Sequence, residues 1–506
     1  MTHDVAVVGL GPVGATLANL LAIAGLRVLV LEREQSIYAL PRAIHFDGEC
    51  MRILQAVGIA EALEPHLFPS PGMRFVDAKG GLLIDWSRPQ GLGPQGWNAS
   101  YRFHQPQLEG MLREALWKRP NVEVRLGCEV AAVEQREDGA MLQLRQVNGD
   151  AVDDAARPGA AVAAHMETVD ARYVVGCDGA RSLVRNAMGV RLDDLQSHER
   201  WLVVDVVLSR ERPDLGDYSV QFCNPSRPAT YVRGVGARRR WELMLARDED
   251  ANEMTRPERF WELLSPWVTP DDGVVERPAV YTFHSVVANR WRQGRLLIAG
   301  DAAHQTPPFM GQGMCAGLRD ASNLAWKLTA VVQGRAPGAL LDTYESERLP
   351  QAREFIETAV RLGQVIQTTD VEEARRRDAD MLATPQIFST PQPALGTGAH
   401  DGGAIGGRLS RQPFLEHEVR LDDAVGYRHA LLLAEGVKPP SQASQHDVAI
   451  PPASAAVQAY LRELGAVALL VRPDRYIAGL ALEAGEVAGL LQHVPLAAHV
   501  LPAAAR

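Results

Sequence analysis

The first 32 residues constrain this chain more than any other stretch. An apolar, β-branched run, DVAVV (4–8), ends at Gly9 and passes straight into Gly9-Leu10-Gly11-Pro12-Val13-Gly14. Residues 12–24 (PVGATLANLLAIA) then carry apolar side chains at helical spacing. Pro12 lies near the start, Gly25 stands where a helix C-cap belongs, and LRVLVLE (26–32) reads as a second buried strand. Strand, glycine turn, helix and strand in that order make one βαβ unit, which commits the chain to an α/β fold with parallel strands. Gly9 permits the tight turn, Gly11 lets backbone approach a pyrophosphate, and Gly14 allows close helix–strand packing. The free N–H groups and positive dipole end of the helix favour negative charge there. Glu32 closes the second strand about 20 residues on, where its carboxylate can accept hydrogen bonds from an adenosine ribose, with Arg33 beside the adenine. This unit reads as a dinucleotide site that serves FAD and NAD equally well.

With 506 residues the chain has room for two or three domains. Its net charge of −10, with no basic run longer than Arg238-Arg239-Arg240 or Arg375-Arg376-Arg377, argues against a nucleic-acid partner. No apolar run approaches the roughly 18 residues needed to span a bilayer, and no charged leader precedes the first strand, so no membrane partner and a cytoplasmic location are expected. The five cysteines (Cys50, Cys128, Cys177, Cys223, Cys315) are scattered, without a CxxC or Cys/His cluster. Neither a disulfide frame nor a metal site is expected from them.

Two further apolar strands end beside a Gly/Asp pair: DARYVVGCDGA (170–180) and GRLLIAGDAA (294–303). Between them, residues about 200–284 alternate apolar and polar (WLVVDVVLS, YSVQF, TYVRGV, RWELMLA, YTFHSVVA), the pattern of antiparallel strands covering a site. Residues 320–364 read as helical, and 384–403 is rich in Pro, Gly, Ser and Thr.

The segment from Arg295 through Gly300-Asp301-Ala302-Ala303-His304 to Pro307, Pro308, Gly311, Gln312, Gly313 and Met314 resembles the GD motif of class A flavoprotein monooxygenases. Gly176-Cys177-Asp178-Gly179-Ala180-Arg181-Ser182, followed by Arg185, is similar to the DG motif of the same family. With the opening glycine turn, three motifs stand in the order and approximate spacing of that family. LEREQSIYALPRAIHFDGECMRILQAVGI (31–59) and GDAAHQTPPFMGQGMCAGLRDASNLAWKL (300–328) look like its 3-(3-hydroxyphenyl)propionate hydroxylase branch. Cys315 departs from the pattern, since many relatives carry asparagine there.

The resemblance implies a Rossmann-like FAD-binding domain (1–75, 100–195 and 285–383) and an inserted, mainly antiparallel substrate-binding domain (76–99 and 196–284). A linker (384–403) and a thioredoxin-like C-terminal domain (404–506) follow. That last domain has no cysteine, so a structural role, or support for a homodimer, is expected of it. For FAD, the resemblance implies Gly9, Gly11, Pro12, Gly14, Glu32 and Arg33, with Arg42 reaching diphosphate and ribitol and Gln105 near the ribitol, Gln107 being its competitor. Asp178 lines the pyrophosphate region, Asp301 the ribitol, and Pro308, Gly311, Gly313 and Met314 the flavin ring. NADH or NADPH would act as a transient co-substrate, since only one strong dinucleotide fingerprint is present.

The implied reaction is hydroxylation of a phenolic ring by O2 through a C4a-hydroperoxyflavin, on 3-(3-hydroxyphenyl)propionate or a related phenolic acid. A polyketide-type phenol, another flavoenzyme chemistry on the same scaffold, and a non-catalytic flavin-binding protein are the alternatives. For the phenol proton the candidates are His104, Tyr231 and His284; for the pocket wall, Pro308 and its neighbours; for a substrate carboxylate, Arg233 or Arg238.

Overall fold

A computed structural model of the chain describes residues 3–147 and 166–495, so the last part of the expected C-terminal domain, 496–506, lies outside the described residues. The strand His3–Val8 is parallel to Val28–Leu31 on one side and to Glu167–Gly176 on the other. Val122–Arg125 and Leu296–Ile298 extend this sheet outward. The helix Pro12–Ile23 packs on the sheet together with Gly313–Val332, and the two bury a continuous apolar core that includes Val5, Val7, Leu17, Leu21, Leu297 and Leu318. Burial on both faces explains why these strands are apolar without alternation.

A second, antiparallel-rich sheet of nine strands among the described residues is built around the long pair Leu192–Leu208 and Gly273–Ala288. It continues through Arg238–Met244, Ala229–Arg233 and Ser219–Phe222 to Gly72–Val76 and Leu82–Ser87. Its strand Gly72–Val76 lies almost wholly within the stretch that the sequence reading gave to the first FAD-binding segment. One face carries Leu202, Val204, Tyr231, Trp241 and Leu243 and packs with Phe260 and Leu264 of the helix Pro257–Leu264. The other face carries Trp201 and Phe75, which meet Phe309, Met310 and Phe355 of the first unit.

Residues 384–403 do not form a free tether. Gln386–Ile387 adds a strand beside Ile84 and Asp85, Phe388 packs edge-on against Trp86 with ring centroids 4.7 Å apart, and the Asp401 N–H donates to Ala478 O. Turn-forming residues here follow an irregular surface path whose backbone still finds partners.

Beyond it, Ala430–Leu433, Ala468–Val471 and Ile477–Ala481 form an antiparallel sheet, with a single parallel bridge from Ala430 to Ala449 and the helix Ala455–Leu464 between bridge and second strand. That is the expected thioredoxin-like order with one strand reduced to a bridge. The unit is held to the rest by buried ion pairs: Arg52 with Asp422, and Glu347 with Arg472.

Candidate functional site

All three motifs lie at the C-terminal ends of adjacent parallel strands, where ligands sit in open α/β sheets. Val8 is in register with Gly176, the Cys177 N–H donates to Val8 O at 2.8 Å, and the Ala299 N–H donates to Gly176 O at 2.9 Å. The glycines are required by these approaches. A Cβ on Gly9 would lie 2.4 Å from Cys177 O, and one on Gly14 would lie 2.1 Å from Gly9 O. At Gly11 and Gly179, by contrast, nothing stands within 4 Å of where a Cβ would project. The helix Pro12–Ile23 has no side-chain cap, so its first N–H groups face that open space.

Glu32 accepts hydrogen bonds from Leu10 N at 2.7 Å and Glu34 N at 2.9 Å, which fixes its carboxylate beside the turn. Arg33 pairs with Glu34 at 3.0 Å and is largely exposed. Asp178 accepts from the N–H groups of Leu183 and Val184 through Oδ2, while its buried Oδ1 has no partner. Burial pushes its carboxyl up. The Asp301 side chain is open to solvent, yet the protein mass around it pushes its carboxyl up as well.

The turn that carries Asp301 is held from behind by a residue that the sequence reading missed. Asp320, fully buried, accepts from Gly300 N at 3.0 Å, from Arg348 Nε at 3.0 Å, and pairs with His304 at 2.7 Å. Gly311 takes φ +63°, which directs the chain into the helix Gly313–Val332; its start is uncapped at Gln312. His45 reaches Gly311 O at 3.1 Å and Ser100 Oγ at 2.9 Å. Burial, with Arg102 and Arg88 nearby, holds its imidazole neutral, down to about 3.

Arg42 sits on a loop fixed by its backbone. Gln105 Oε1 accepts from Arg42 N and Ala43 N at 2.9 and 2.7 Å, and Arg240 donates to the carbonyls of Pro41 and Arg42. The Arg42 guanidinium stays exposed over the Tyr38 ring, 5.2 Å from its centroid. The amide nitrogen of Gln105 donates to Glu109 at 2.7 Å, so both ends of this side chain hold protein groups.

Three proton-handling candidates part company here. Tyr231 lies on the far face of the antiparallel sheet, its ring 5.3 Å from Trp241 and its hydroxyl on Gly216 O. His284 is exposed and lies 2.8 Å from His198. Only His104, N-cap of the helix Gln105–Trp117, stays near the Arg42 loop, lining a small recess with Pro41 and Arg240; burial pulls its pKa down. Arg233 pairs with Asp217 at 3.1 Å and Arg238 with Glu276 at 3.2 Å. Alternation along each strand decides these outcomes, because Tyr231 and its neighbour Thr230 point to opposite faces.

The face toward the motifs instead carries Ser219, Gln221, Thr230 and Glu242, all buried, opposite Phe309 and Met310. Asp47, Cys50 and Cys315 approach one another closely enough to hold an ion. Burial pushes the Cys50 thiol up, and Asp47 is engaged by Arg319 at 2.5 Å, so the trio offers one charged ligand atom already in use. A cavity of about 670 Å³ lies elsewhere, between the helix ends at Ala24 and Gln333 and the C-terminal unit, and contains none of the motif residues.

The open cradle at Gly11 and Gly179, the unpartnered Asp178 oxygen and two uncapped helix starts fit a dinucleotide. A family described as "FAD binding domain" matches residues 2–359. Over 99% of its length the chain is 37% identical to a protein of Rhodococcus jostii (strain RHA1) named a probable NADH-specific resorcinol 4-hydroxylase, covering 96% of that protein. Over 74% of its length it is 40% identical to a 3-(3-hydroxy-phenyl)propionate/3-hydroxycinnamic acid hydroxylase of Mycobacterium avium (strain 104), where it spans 63% of the relative. Among solved structures, the flavin-dependent monooxygenase PieE, in complex with FAD and substrate, shares the fold with a TM-score of 0.81 over 97% of this chain and 98% of that one, at 24% identity. The p-nitrophenol 4-monooxygenase PnpA from Pseudomonas putida DLL-E4 is 27% identical, with a TM-score of 0.66 over 76% of this chain and 94% of its own. Among the described residues no helix is long and apolar enough to cross a membrane. The chain therefore belongs to the FAD-binding family of class A flavoprotein aromatic monooxygenases, enzymes that use FAD and a nicotinamide coenzyme.

Proposed function

We propose that this protein hydroxylates a small phenol with NADH and O2, its substrate a resorcinol-type or phenylpropionate-type ring. The observation that carries this reading is the meeting of the three motif turns with the polar inner face of the antiparallel sheet. Bound FAD supplies the reduction of oxygen and its transfer to the ring. The chain's own residues do the rest. Asp178, Glu32 and the helix start at Pro12 would hold the pyrophosphate and ribose end, Asp301 and Arg42 the ribitol and diphosphate, and Pro308, Gly311, Gly313 and Met314 the flavin edge. Phe309, Met310 and Trp201 would exclude water from the reacting edge, and the uncapped start of the helix Gly313–Val332 would favour the negative charge of the reduced ring.

Similarity over 99% of the chain to a relative named a probable NADH-specific hydroxylase supports NADH as reductant. Five free thiols support a reducing, cytoplasmic setting. Mixing the FAD-loaded protein with NADH, with and without resorcinol and 3-(3-hydroxyphenyl)propionate, tests the reading. Flavin bleaching should accelerate with the substrate phenol, and a product one oxygen heavier should accumulate. Hydrogen peroxide as the sole oxygen product with every phenol would overturn it.

A further inference from the structure

We propose that Arg102 seats an anionic oxygen group of the ring substrate, a carboxylate or a phenolate, on the inner face of the antiparallel sheet. This deepens the hydroxylase reading above and rests on it.

Arg102 ends the strand Ser100–Arg102 and is 4% exposed. Its guanidinium makes one hydrogen bond among the described residues, to Ser219 Oγ at 2.6 Å, and its buried Nε has no acceptor. The other buried arginines each have an acid or a pair of carbonyls as partner, most weakly Arg113, which has Glu109 at 3.9 Å and Leu10 O at 3.4 Å. Arg52 and Arg475 face Asp422, Arg319 faces Asp47 and Glu49, Arg348 faces Asp320, and Arg240 faces Asp205. Arg185 and Arg239 each donate to two backbone carbonyls. A buried cation without counter-charge is costly to keep, and a site that keeps one is matched to an anion. Burial and the neighbouring Arg88 pull its pKa to about 9, so it still carries its charge at neutral pH.

Its position suits a substrate. Arg102 is in register with His45, whose ring touches Gly311 in the turn before the flavin-facing helix, and it bonds across to the sheet at Ser219. Two residues along the same strand face, Gln221 accepts from Thr230 at 2.6 Å, while its amide nitrogen meets only Met73 Sδ at 3.4 Å. A thioether is a weak acceptor, so this nitrogen is a second donor for the same anion. Trp201, with its ring 5.7 Å from Phe309 and its Nε1 unpartnered, lies on the same face of the sheet. A planar guanidinium fork recognises a carboxylate through two donors at once and a phenolate through one.

The test uses holoenzyme and reads ligand binding from the change in flavin absorbance, with 3-(3-hydroxyphenyl)propionate, its uncharged amide and resorcinol as probes. If the anion is a carboxylate, the acid should bind at least about tenfold tighter than the amide; R102M should abolish that preference and R102K keep part of it. If it is a phenolate, acid and amide should bind alike, and bound resorcinol should show phenolate absorption at a pH where free resorcinol does not, a signal lost in R102M. R102M that retains FAD and binds all three probes within twofold of the wild type would overturn the proposal. Should R102M fail to fold, wild-type protein showing neither the acid preference nor the phenolate signal overturns it equally. Arg102-dependent binding with no hydroxylated product from any phenol would sink the hydroxylase reading and leave the anion site standing.

Discussion

Glu347→Gln tests what holds the C-terminal unit against the flavin-binding unit. Glu347 is fully buried in the helix Asp342–Ile366. Its Oε1 accepts from Arg472 Nη1 at 2.9 Å and Ala399 N at 2.6 Å; its Oε2 accepts from Lys327 at 2.7 Å, Arg472 Nη2 at 2.8 Å and Asn323 at 2.8 Å. With Asp474 on Arg472, two acids balance two cations in a space closed to water. The amide removes one negative charge and turns an NH2 group toward at least two donors. Breaking a buried pair on one side costs about 3–5 kcal/mol. At about 2 °C per kcal/mol, the low end suited to a large chain, the melting temperature should fall by roughly 6–10 °C. Calorimetry of wild type and E347Q measures this, and limited proteolysis should show earlier cleavage of the C-terminal unit. The pH dependence gives a second reading. Burial opposes the charge on Glu347, but Arg472 and Lys327 overcome it and hold the carboxyl far below its ordinary 4.5. The unfolded chain binds the proton first, so the pair contributes its stability above about pH 4.5 and loses it as pH falls from there toward the depressed folded value. E347Q should lack that part of the acid limb. A melting temperature within about 1 °C of wild type, with an unchanged acid limb, would refute the reasoning.

At the cofactor end, Gly14→Ala places a methyl 2.1 Å from Gly9 O. That oxygen is backbone and Cys177 Cβ stands 3.2 Å away, so little can yield; an overpacking cost of about 1–3 kcal/mol and a protein purified with little FAD are expected, and full flavin content would contradict the assigned turn. Asp301→Ala should weaken FAD retention in dialysis against chaotrope, and wild-type affinity would show that this carboxylate does not touch the cofactor. Tyr231→Phe removes one hydroxyl from a ring packed on the far side of the sheet, so hydroxylation rates should stay within about twofold; a hundredfold loss would return Tyr231 to the acid–base role.

The glycine turn, the DG and GD turns and the unit order were legible because each is written in adjacent residues: a positive φ at Gly9, Gly300 or Gly311 is a local demand that only glycine meets cheaply. Asp320 and Lys327 were less legible, though a signal was there. Charges inside the otherwise apolar helix Gly313–Val332 announce buried partners, here His304, Arg348 and Glu347. Arg102 gave no such signal, because a single arginine in a three-residue strand looks the same whether it faces water or a pocket.

The sequence by itself thus determined the βαβ opening, the three turns and the class of cofactor, since these follow from backbone sterics and hydrogen bonding over a few residues. Only the tertiary structure decided that Tyr231 turns away while Ser219, Gln221 and Thr230 turn inward, and that Arg102 alone among the deep arginines described here meets neither an acid nor a pair of carbonyls. A strand's alternation states that neighbours part, but which side becomes the pocket depends on what packs there. Charge balance in the interior is likewise set by groups that only folding brings together, Lys327 and Glu347 on separate helices and Arg52 and Asp422 in separate units.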